Sequence, residues 1–485
     1  MFEQIHDQRM RLRLSQEEID QRIGISPFGE KGKAWARRWL KAESHGQVGL
    51  ALFDIPPIVE RAQNDILIDV DGKEYVDLLA GFSVSALGQC NEEISRVISE
   101  QAGKLIHYFD FPHPERIRMA ERLVELCPIQ GDDARVVFGV TGADAVELAI
   151  RSARYATGRP LVLTAYGDYH GVTYSTIAVT TKGGMWPYFY PVPPLDTGIG
   201  YYPFPYPYQS PFGRAPEGIS DEQWCLDRLT DYFEYYFGSK ESQFREVKGN
   251  ITNVAAFVVE PFQSSAGYII PSPGYLKLLR NLCDKYGILL IVDEIQTGLG
   301  RAGKLWCYEW EEIKPDMVVT SKALGGGIPL SAVVSRADLL EAWGPGAHVS
   351  TQAGNVLACA AGNKVLDTLT SPGFLDGVVE RGDYFVQGLR ELQDRHALIG
   401  HIDARGIYIG IELVKDRETR EPAPDEATFI LRECVKEGMV FEKGGYYHNR
   451  FQLIPPLTIR KDTIDRALGI FDRAFAAASK QFGRS

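Results

Sequence analysis

Short apolar runs alternate with longer stretches of helical periodicity through the middle of this 485-residue chain. The apolar runs are RVVFGV, PLVLTA, VAAFVVE, ILLIVDE and DMVVTS, and two of the helical stretches are GADAVELAIRSARYA and GYLKLLRNLCDKYG. Runs that lack regular polar positions are typical of strands buried on both faces of a parallel sheet. The alternation therefore predicts an α/β fold with a largely parallel central sheet flanked by helices.

The length predicts more than one domain, at about 100–200 residues each. We expect an N-terminal helical arm over 1–45, the N-terminal part of a small domain over 46–90, a large domain over 91–340 and the C-terminal part of a small α+β domain over 341–485. The stretch DILIDVDGKEYVDLLAG predicts a β-hairpin that turns at Asp71-Gly72. A Pro/Tyr-rich segment, 186–216, is predicted to be a long structureless insert lining a site or an interface.

Charge and cysteine usage narrow the class of partner. The net charge is −12, which disfavours nucleic acid as the main partner. Seven scattered cysteines without metal-ligand spacing predict a reduced, cytoplasmic protein without a metal site. No apolar signal segment precedes the arm, and no run of about 18 apolar residues is present to span a membrane. LRLSQEEIDQRIGIS is similar to the first half of a helix-turn-helix, but the second half is missing, so we expect an arm that packs on a partner subunit or over the active site.

Lys322 is the strongest candidate for catalysis. It lies between the apolar run DMVVTS and the glycines of TSKALGGGIPLS, where a solvated surface charge is not expected. A lysine amine in a partly dry site can lose its proton and form a Schiff base with an aldehyde, and pyridoxal phosphate is the aldehyde cofactor that enzymes hold this way. Asp293, at the end of ILLIVD, can pair with the pyridinium nitrogen of that cofactor.

With these two residues in place, the chain from about Gly46 to its C-terminus resembles the class III aminotransferases, the pyridoxal phosphate family that contains 4-aminobutyrate and ornithine aminotransferases. The resemblance is carried, in the family's order, by VFGVTGADAVELAIRSAR, DYHGVT, DEIQTGLGR, TSKALGGG and STQAGNVLACAA. It implies the type I fold of pyridoxal phosphate transferases, in which the large domain binds the cofactor. It also implies a homodimer with shared active sites.

The resemblance also implies cofactor contacts for individual residues. Gly142 and Ala143 would offer backbone N–H groups to the phosphate at a helix N-terminus, although the family usually has Ser or Thr at the position of Ala143. Tyr169 would stack on the pyridine ring, and His170 would lie beneath or support it. Two further contacts are implied, from Gln296 to the phenolic oxygen and from Thr351 to the phosphate of the neighbouring subunit.

The substrate positions depart from the family pattern. An Arg before the Pro-Pro-Leu motif grips the substrate carboxylate in aminobutyrate-type members, and here Gln452 stands there. A Glu after the Glu-Pro-x-Gln motif partners that Arg, and here Ser265 stands there. Either the carboxylate is bound elsewhere, with Arg450 as a candidate, or the preferred substrate has none. Further candidates are Lys443 and His448 for the carboxylate, and Phe82, Val84, Tyr268 and the insert for the walls of the site.

These residues predict an aminotransferase that moves an amino group between a primary amine and a 2-oxo acid, aldehyde or ketone. A bulky or polar amine, such as a polyamine, an amino sugar or an ω-amino acid, is one hypothesis for the donor. An amino-acid racemase or epimerase on the same scaffold is an alternative hypothesis. An enzyme with a single substrate does not need a site that recognises both an amino donor and a carbonyl acceptor. The intact set of Lys322, Asp293 and Gln296 disfavours a catalytically inactive scaffold or a DNA-binding regulator.

Overall fold

The predicted parallel sheet is the largest sheet of the protein. A computed structural model describes residues 14–46, 53–181, 198–238 and 253–483. Seven strands lie in the order β4-β10-β9-β8-β7-β5-β6, and only β10 runs antiparallel to its neighbours. The strands are β4 (Ala134–Gly139), β5 (Leu161–Ala165), β6 (Ile199–Tyr202), β7 (Val254–Val259), β8 (Leu289–Asp293), β9 (Met317–Thr320) and β10 (Ser331–Arg336). The predicted α/β fold with a largely parallel sheet is confirmed.

Helices cover this sheet, which is why its central strands β7, β8 and β9 are buried at every position. The helices of the first two thirds of the chain are α1 (Gln16–Ile25), α2 (Glu30–Ala42), α3 (Ala80–Ser83), α4 (Glu92–Ala102), α5 (Pro114–Leu126), α6 (Gly142–Thr157), α7 (Thr176–Val179), α8 (Asp221–Gly238) and α9 (Tyr275–Tyr286). Those that follow are α10 (Ala337–Leu340), α11 (Val356–Leu369), α12 (Phe374–Arg395), α13 (Pro424–Lys436) and α14 (Lys461–Phe482). Single-turn 3-10 helices lie at Cys307–Glu311, Lys322–Gly325 and Glu341–Trp343.

Two smaller sheets are built from the two ends of the chain. The first has the order β1-β2-β3-β14 and the second the order β11-β12-β16-β15, with β13 paired to β12. Their strands are β1 (Val59–Gln63), β2 (Ile66–Asp69), β3 (Glu74–Asp77), β11 (Ile399–Arg405), β12 (Tyr408–Asp416), β13 (Glu421–Pro422), β14 (Met439–Val440), β15 (Glu442–Gly444) and β16 (Arg450–Leu453). The parallel pairing of β14 with β3 joins the N-terminal and C-terminal segments. The domain limits themselves stay a prediction.

The predicted hairpin is present, with β2 and β3 antiparallel around the Asp71-Gly72 turn. Asp71 also accepts hydrogen bonds from the backbone N–H groups of Lys31 and Gly32, at 3.2 and 2.8 Å, and so caps the N-terminus of α2. The arm helix α1 begins at Ser15 with a capping box to Glu18. The hairpin and the N-terminal arm are therefore connected by the hydrogen bonds from the start of α2 to Asp71.

The prediction of a structureless insert over 186–216 is wrong at Ile199–Tyr202, which form β6, whereas residues 203–216 contain neither helix nor strand. Residues 182–197 lie outside the described residues, but β6 forms the edge strand of the large sheet and pairs in parallel with β5. The short sequence IGYY gives a weak signal by itself, and the neighbouring strand supplies the hydrogen bonds that make it a strand.

No helix among the described residues is long and apolar enough to cross a membrane. The same part of the chain holds no group of His, Cys, Asp and Glu side chains that could bind a metal ion.

Candidate active site

Parallel strands bring Asp293 and Lys322 to one edge of the large sheet. β8 ends at Asp293, which lies opposite Val319 of the neighbouring strand β9, and Lys322 follows β9 by two residues. Ligand sites in open α/β sheets form at the carboxyl ends of the strands, because the connecting loops meet there. The sheet therefore places the two predicted catalytic residues on the same side of the same edge.

Lys322 has an unusual backbone and an unusual environment. Its φ is +45°, a left-handed conformation that side chains rarely adopt outside functional or strained sites. The left-handed segment α3 packs against the turn that starts at Lys322. Burial lowers the pKa of the Lys322 amine, opposed by the negative charges of Glu260, Asp293 and Glu442. A lysine in such a place can act as a nucleophile once it is deprotonated.

Asp293 is buried and is paired with His170. Its Oδ2 lies 2.7 Å from Nδ1 of His170, and its Oδ1 accepts a hydrogen bond from the backbone N–H of Ile295. The other ring nitrogen of His170 lies 3.6 Å from Asp168. Burial opposes a charge on His170, but the hydrogen bonds to Asp168 and Asp293 outweigh it and raise the pKa of His170 to about 10. The two carboxylates therefore favour the protonated form of His170, and the contact with Nδ1 orients Asp293.

The N-terminus of α6 meets the same group of residues. Thr141 caps the helix by accepting from the backbone N–H of Asp144. A Cβ atom on Gly142 would lie 2.7 Å from Ile295, so only glycine fits there. A Cβ atom on Gly171 would lie 2.6 Å from the side chain of Ala143. The helix start is thus packed directly against the loops that carry Asp293 and His170.

Tyr169 is half-buried next to His170, and its backbone is held by Glu260. Glu260 accepts hydrogen bonds from the backbone N–H of Tyr169 at 2.8 Å and from that of Ser264 at 3.1 Å. Burial, followed by the nearby charge of Asp168, raises the pKa of Glu260 to about 8. These contacts indicate that Glu260 supports the backbone on both sides of the site.

Gln296 and Thr351 differ in their surroundings. The side-chain amide of Gln296 is buried and donates to the hydroxyl of Tyr268 at 2.7 Å. Tyr268 is itself fully buried and left-handed, with φ at +57°. Thr351 is exposed on a turn before α11, so the structure leaves it accessible to another subunit. The cofactor contacts of both residues stay predictions.

The predicted wall residues lie in a stretch of strained backbone. Residues 80–83 all have positive φ, and Phe82 and Val84 are half-buried within or next to that stretch. Arg301 holds it by donating from Nε to the hydroxyl of Ser83 at 3.1 Å and from Nη1 to the carbonyl oxygen of Pro455 at 2.5 Å. These contacts indicate a structural role for Arg301, although its buried Nη2 has no partner among the described residues.

Arg450 is buried, and its guanidinium group is already fully hydrogen-bonded within the protein. It is 2% exposed, and every nitrogen of its guanidinium donates within the protein. Its acceptors are the carbonyl oxygens of Gly267 and Tyr268, the hydroxyl of Tyr206, and the carboxylates of Glu412 and Asp403. We call these residues, with Arg450, the Arg450 cluster. No donor is left for a substrate carboxylate, so this geometry does not support the prediction that Arg450 binds one.

Gln452 lies two residues further along β16 and is fully buried. Its amide nitrogen donates to the carbonyl oxygen of Ser264 at 2.9 Å, and its Oε1 has no partner among the described residues. Directly opposite Gln452 on β15 is Glu442, a buried carboxylate that sequence reasoning did not select. The only signal for Glu442 was its position in the short strand FEKGG, which is weak by itself.

Comparison with known proteins identifies the family of this chain. The family model for aminotransferase class-III matches residues 53–475. The alanine/serine racemase of Pyrococcus horikoshii is 32% identical over 93% of this chain and 92% of its own length. The diaminobutyrate–2-oxoglutarate aminotransferase of Rhizobium meliloti is 34% identical over 88% of this chain and 89% of its own.

A solved omega transaminase from Pseudomonas jessenii in complex with PMP superimposes with a TM-score of 0.81, at 25% identity. The alignment covers 93% of this chain and 99% of that one. The chain belongs to the class III aminotransferase family. The predicted type I fold, pyridoxal phosphate dependence and transaminase class are confirmed at the level of that family.

Proposed function

We propose that this aminotransferase takes its amino group from a primary amine without a tightly held α-carboxylate and passes it to a 2-oxo acid or another carbonyl compound. The observations that support the proposal are the convergence of Lys322, Asp293 and His170 at one edge of the sheet and the uncharged Gln452 at the position where the family pattern has an arginine. A neutral amide replaces a charge-assisted, bidentate contact at that position, which weakens the grip on a carboxylate by about 1–2 kcal/mol.

The residues fit pyridoxal phosphate, because a close-packed helix N-terminus, a buried carboxylate and a partly buried lysine meet in one place. When bound, the cofactor withdraws electrons from the substrate carbon that loses a proton. Lys322 would bind the cofactor and later carry that proton as general base and acid. Asp293, oriented by His170, would keep the ring nitrogen protonated.

Further contacts to the cofactor and the substrate are proposed from the positions of the residues around the site. Backbone N–H groups at Gly142 and Ala143 would bind the phosphate with help from the helix dipole. The half-buried Tyr169 would stack on the ring, and Gln296 would reach the phenolic oxygen by exchanging its contact with Tyr268. Phe82 and Val84 would border the substrate.

An amino-acid racemase is the second candidate, and a specific observation favours it. The relative from Pyrococcus horikoshii is named a racemase and matches this chain over nearly its whole length. A racemase would use the same Lys322 and Asp293, but it would return the proton to the same carbon and need no carbonyl acceptor.

A half-reaction separates the two activities. Purified holoenzyme is mixed with single amines and single amino acids without an acceptor, and its visible spectrum is followed. Loss of the yellow absorbance with an amine, reversed by a 2-oxo acid, is the expected result. An α-proton that exchanges with solvent, together with inversion and no loss of absorbance, would establish the racemase instead.

We also propose a homodimer that works in the cytoplasm. Large apolar side chains are exposed in the segment 106–111, which we call the 106–111 loop, and the ring nitrogens of His107 in that loop are buried without a partner among the described residues. Thr351 is exposed, as a contact across subunits requires. All seven cysteines are unpaired, which supports a reducing compartment.

A further inference from the structure

We propose that Tyr446 is a positioning residue for the reaction. Its hydroxyl holds the turn that carries Tyr169 and His170, and side-chain contacts through Gln263 extend this effect to Asp293. The inference rests on the proposed function, because Tyr169 and Asp293 are the proposed partners of the cofactor ring. It assigns a role to the connection between β15 and β16, which belongs to a smaller sheet.

Tyr446 lies in the turn between β15 and β16, and its hydroxyl contacts the segment that follows β5 in the large sheet. It donates to the carbonyl oxygen of Tyr166 at 2.8 Å and lies 3.1 Å from Oε1 of Gln263. A hydroxyl carries one proton, so the two oxygens share it. Gly167 makes this approach possible, because a Cβ atom there would overlap the hydroxyl. The φ of Gly167 is +99°, a conformation that favours glycine.

The orientation of the Gln263 amide follows from its neighbours. Its nitrogen lies 2.7 Å from the carbonyl oxygen of Tyr166 and 2.9 Å from Oδ1 of Asp168, and both oxygens are acceptors. The amide nitrogen therefore faces these two atoms, and Oε1 faces the Tyr446 hydroxyl. Because Gln263 is fully buried, its Oε1 depends on a donor from the protein, and the Tyr446 hydroxyl is placed to supply it.

The contacts continue from Gln263 to Asp293. Asp168 accepts from Gln263 through Oδ1, and its Oδ2 lies 3.6 Å from Nε2 of His170. The hydroxyl of Thr164 lies between these two groups, at 3.4 Å from Oδ2 and 3.3 Å from Nε2. Nδ1 of His170 lies 2.7 Å from Asp293. All five side chains are buried, and polar groups in such surroundings depend strongly on one another.

The backbone provides a second connection between Tyr446 and the site. The carbonyl oxygen that Tyr446 binds belongs to Tyr166, three residues before Tyr169. The turn between them is tight, since the backbone N–H of Asp168 donates to the carbonyl oxygen of Ala165 at 3.3 Å. A shift at the start of so short a turn moves the residues that follow it. Loss of the hydroxyl should therefore alter how Tyr169 meets the cofactor ring, and small errors in placement are costly for a reaction.

Tyr446→Phe tests the inference, because it removes the hydroxyl and keeps the ring. Cofactor-free protein is titrated with pyridoxal phosphate, and the yellow absorbance and the visible circular dichroism of the bound cofactor are followed. We expect the dissociation constant to rise about three- to tenfold, the effect of one hydrogen bond. The circular dichroism per bound cofactor, which reports the orientation of the ring, should fall. Tyr447→Phe is the matched control, since Tyr447 is 55% exposed, and both readouts should stay unchanged.

A double-mutant cycle tests the route through Gln263. Gln263→Met keeps the length of the side chain and removes both polar groups. In that background, Tyr446→Phe should change the dissociation constant less than about twofold, because the effects of coupled neighbours do not add. In the half-reaction, Tyr446→Phe should lower kcat about three- to tenfold and change KM less than about twofold, since Tyr446 acts through the turn.

Unchanged cofactor affinity and circular dichroism in Tyr446→Phe would overturn the inference, even if the melting temperature falls, because Tyr446 would then be a structural contact only. Equal effects of Tyr446→Phe with and without Gln263→Met would overturn the route through Gln263. The cofactor titration needs neither an amine nor turnover. A holoenzyme whose yellow absorbance no amine removes would overturn the proposed transamination, and the titration would still decide the role of Tyr446.

Discussion

Among single residues, the protonation of His170 is important because it affects the hydrogen bonding of Asp293. It lies between Asp293 and Asp168, and these carboxylates raise its pKa to about 10 against the opposing effect of burial. The ordinary pKa of histidine in an unfolded chain is about 6.5. A proton held this tightly keeps Asp293 hydrogen-bonded in one orientation.

The raised pKa predicts a pH-dependent contribution to stability. Because the folded-state pKa lies above the unfolded one, the contribution is full below pH about 6.5 and is lost as the pH rises through about 10. The loss is at most about 1.4 kcal/mol per pH unit. We expect His170→Asn to lower the melting temperature of cofactor-free protein more at pH 6.5 than at pH 9.5. A difference in melting temperature that is the same at both pH values would mean that His170 is neutral in the folded protein.

At the scale of elements, the Arg450 cluster ties β16 to β11, to β12 and to the segment that follows β6. Arg450 pairs with Asp403 at 2.7 Å and with Glu412 at 2.6 Å, and the two carboxylates are buried with it. Removing one partner from a buried ionic cluster leaves the other charges uncompensated in a medium of low polarity. The cluster therefore fixes how β16 packs on the segment 264–268.

This arrangement predicts that Arg450→Met is strongly destabilising. The free energy of unfolding should fall by about 3–5 kcal/mol, because Asp403 and Glu412 would be buried without their cation. Arg466→Met is the matched control, since Arg466 is 40% exposed and pairs with Glu74 at 3.6 Å on the surface. That change should cost less than about 1 kcal/mol. Equal effects of the two substitutions in denaturant unfolding would contradict the buried role of Arg450.

The N-terminal arm depends on a cap supplied from another element. Asp71 of the hairpin turn accepts from two N–H groups at the start of α2. Asp71→Ala should destabilise the docked arm by about 1 kcal/mol, and Asp71→Asn, which keeps an acceptor, should do so less. Hydrogen exchange in Glu30–Ala42 reports this directly. Exchange rates that are unchanged in Asp71→Ala would show that the arm does not depend on this cap.

The features that could be predicted from the sequence are those indicated by the pattern of residues within a single segment. Asp293 and Lys322 could be selected because each follows an apolar run, and parallel strands necessarily bring their carboxyl ends together. Arg450 could not be interpreted correctly, because its partners lie far from it in sequence, Tyr206 after β6 and Asp403 and Glu412 on β11 and β12. Strand β6 was missed for a similar reason, since its hydrogen bonds come from β5. Glu442 was not selected, because its pairing with Gln452 is visible only in the structure.

At the scale of the whole molecule, the residues proposed for catalysis and the position that departs from the family pattern lie on different sheets. The large sheet presents Lys322, Asp293 and His170 at one edge. Gln452 belongs to β16, in a smaller sheet. Under the proposed function, a substitution at Gln452 should therefore change substrate preference without altering the catalytic residues.

The 106–111 loop predicts the assembly state. Its side chains Tyr108 and Phe111 are 61% and 60% exposed and stack edge to face, which is an unusual surface for a protein without a partner there. We expect a dimer in light scattering after size-exclusion chromatography, and a shift towards monomer for Tyr108→Glu with Phe111→Glu. Tyr235→Glu is a control, because Tyr235 is 69% exposed on α8, outside this loop. A dimer that is unaffected by the double substitution would place the interface elsewhere.

Chemical trapping can show whether Lys322 is the residue that binds the cofactor. The yellow holoenzyme is reduced with sodium borohydride, digested and mapped by mass spectrometry. We predict a pyridoxyl phosphate adduct on the peptide that contains Lys322, and neither adduct nor yellow colour in Lys322→Ala. An adduct on another lysine, or a yellow Lys322→Ala protein that still exchanges amino groups, would contradict the account.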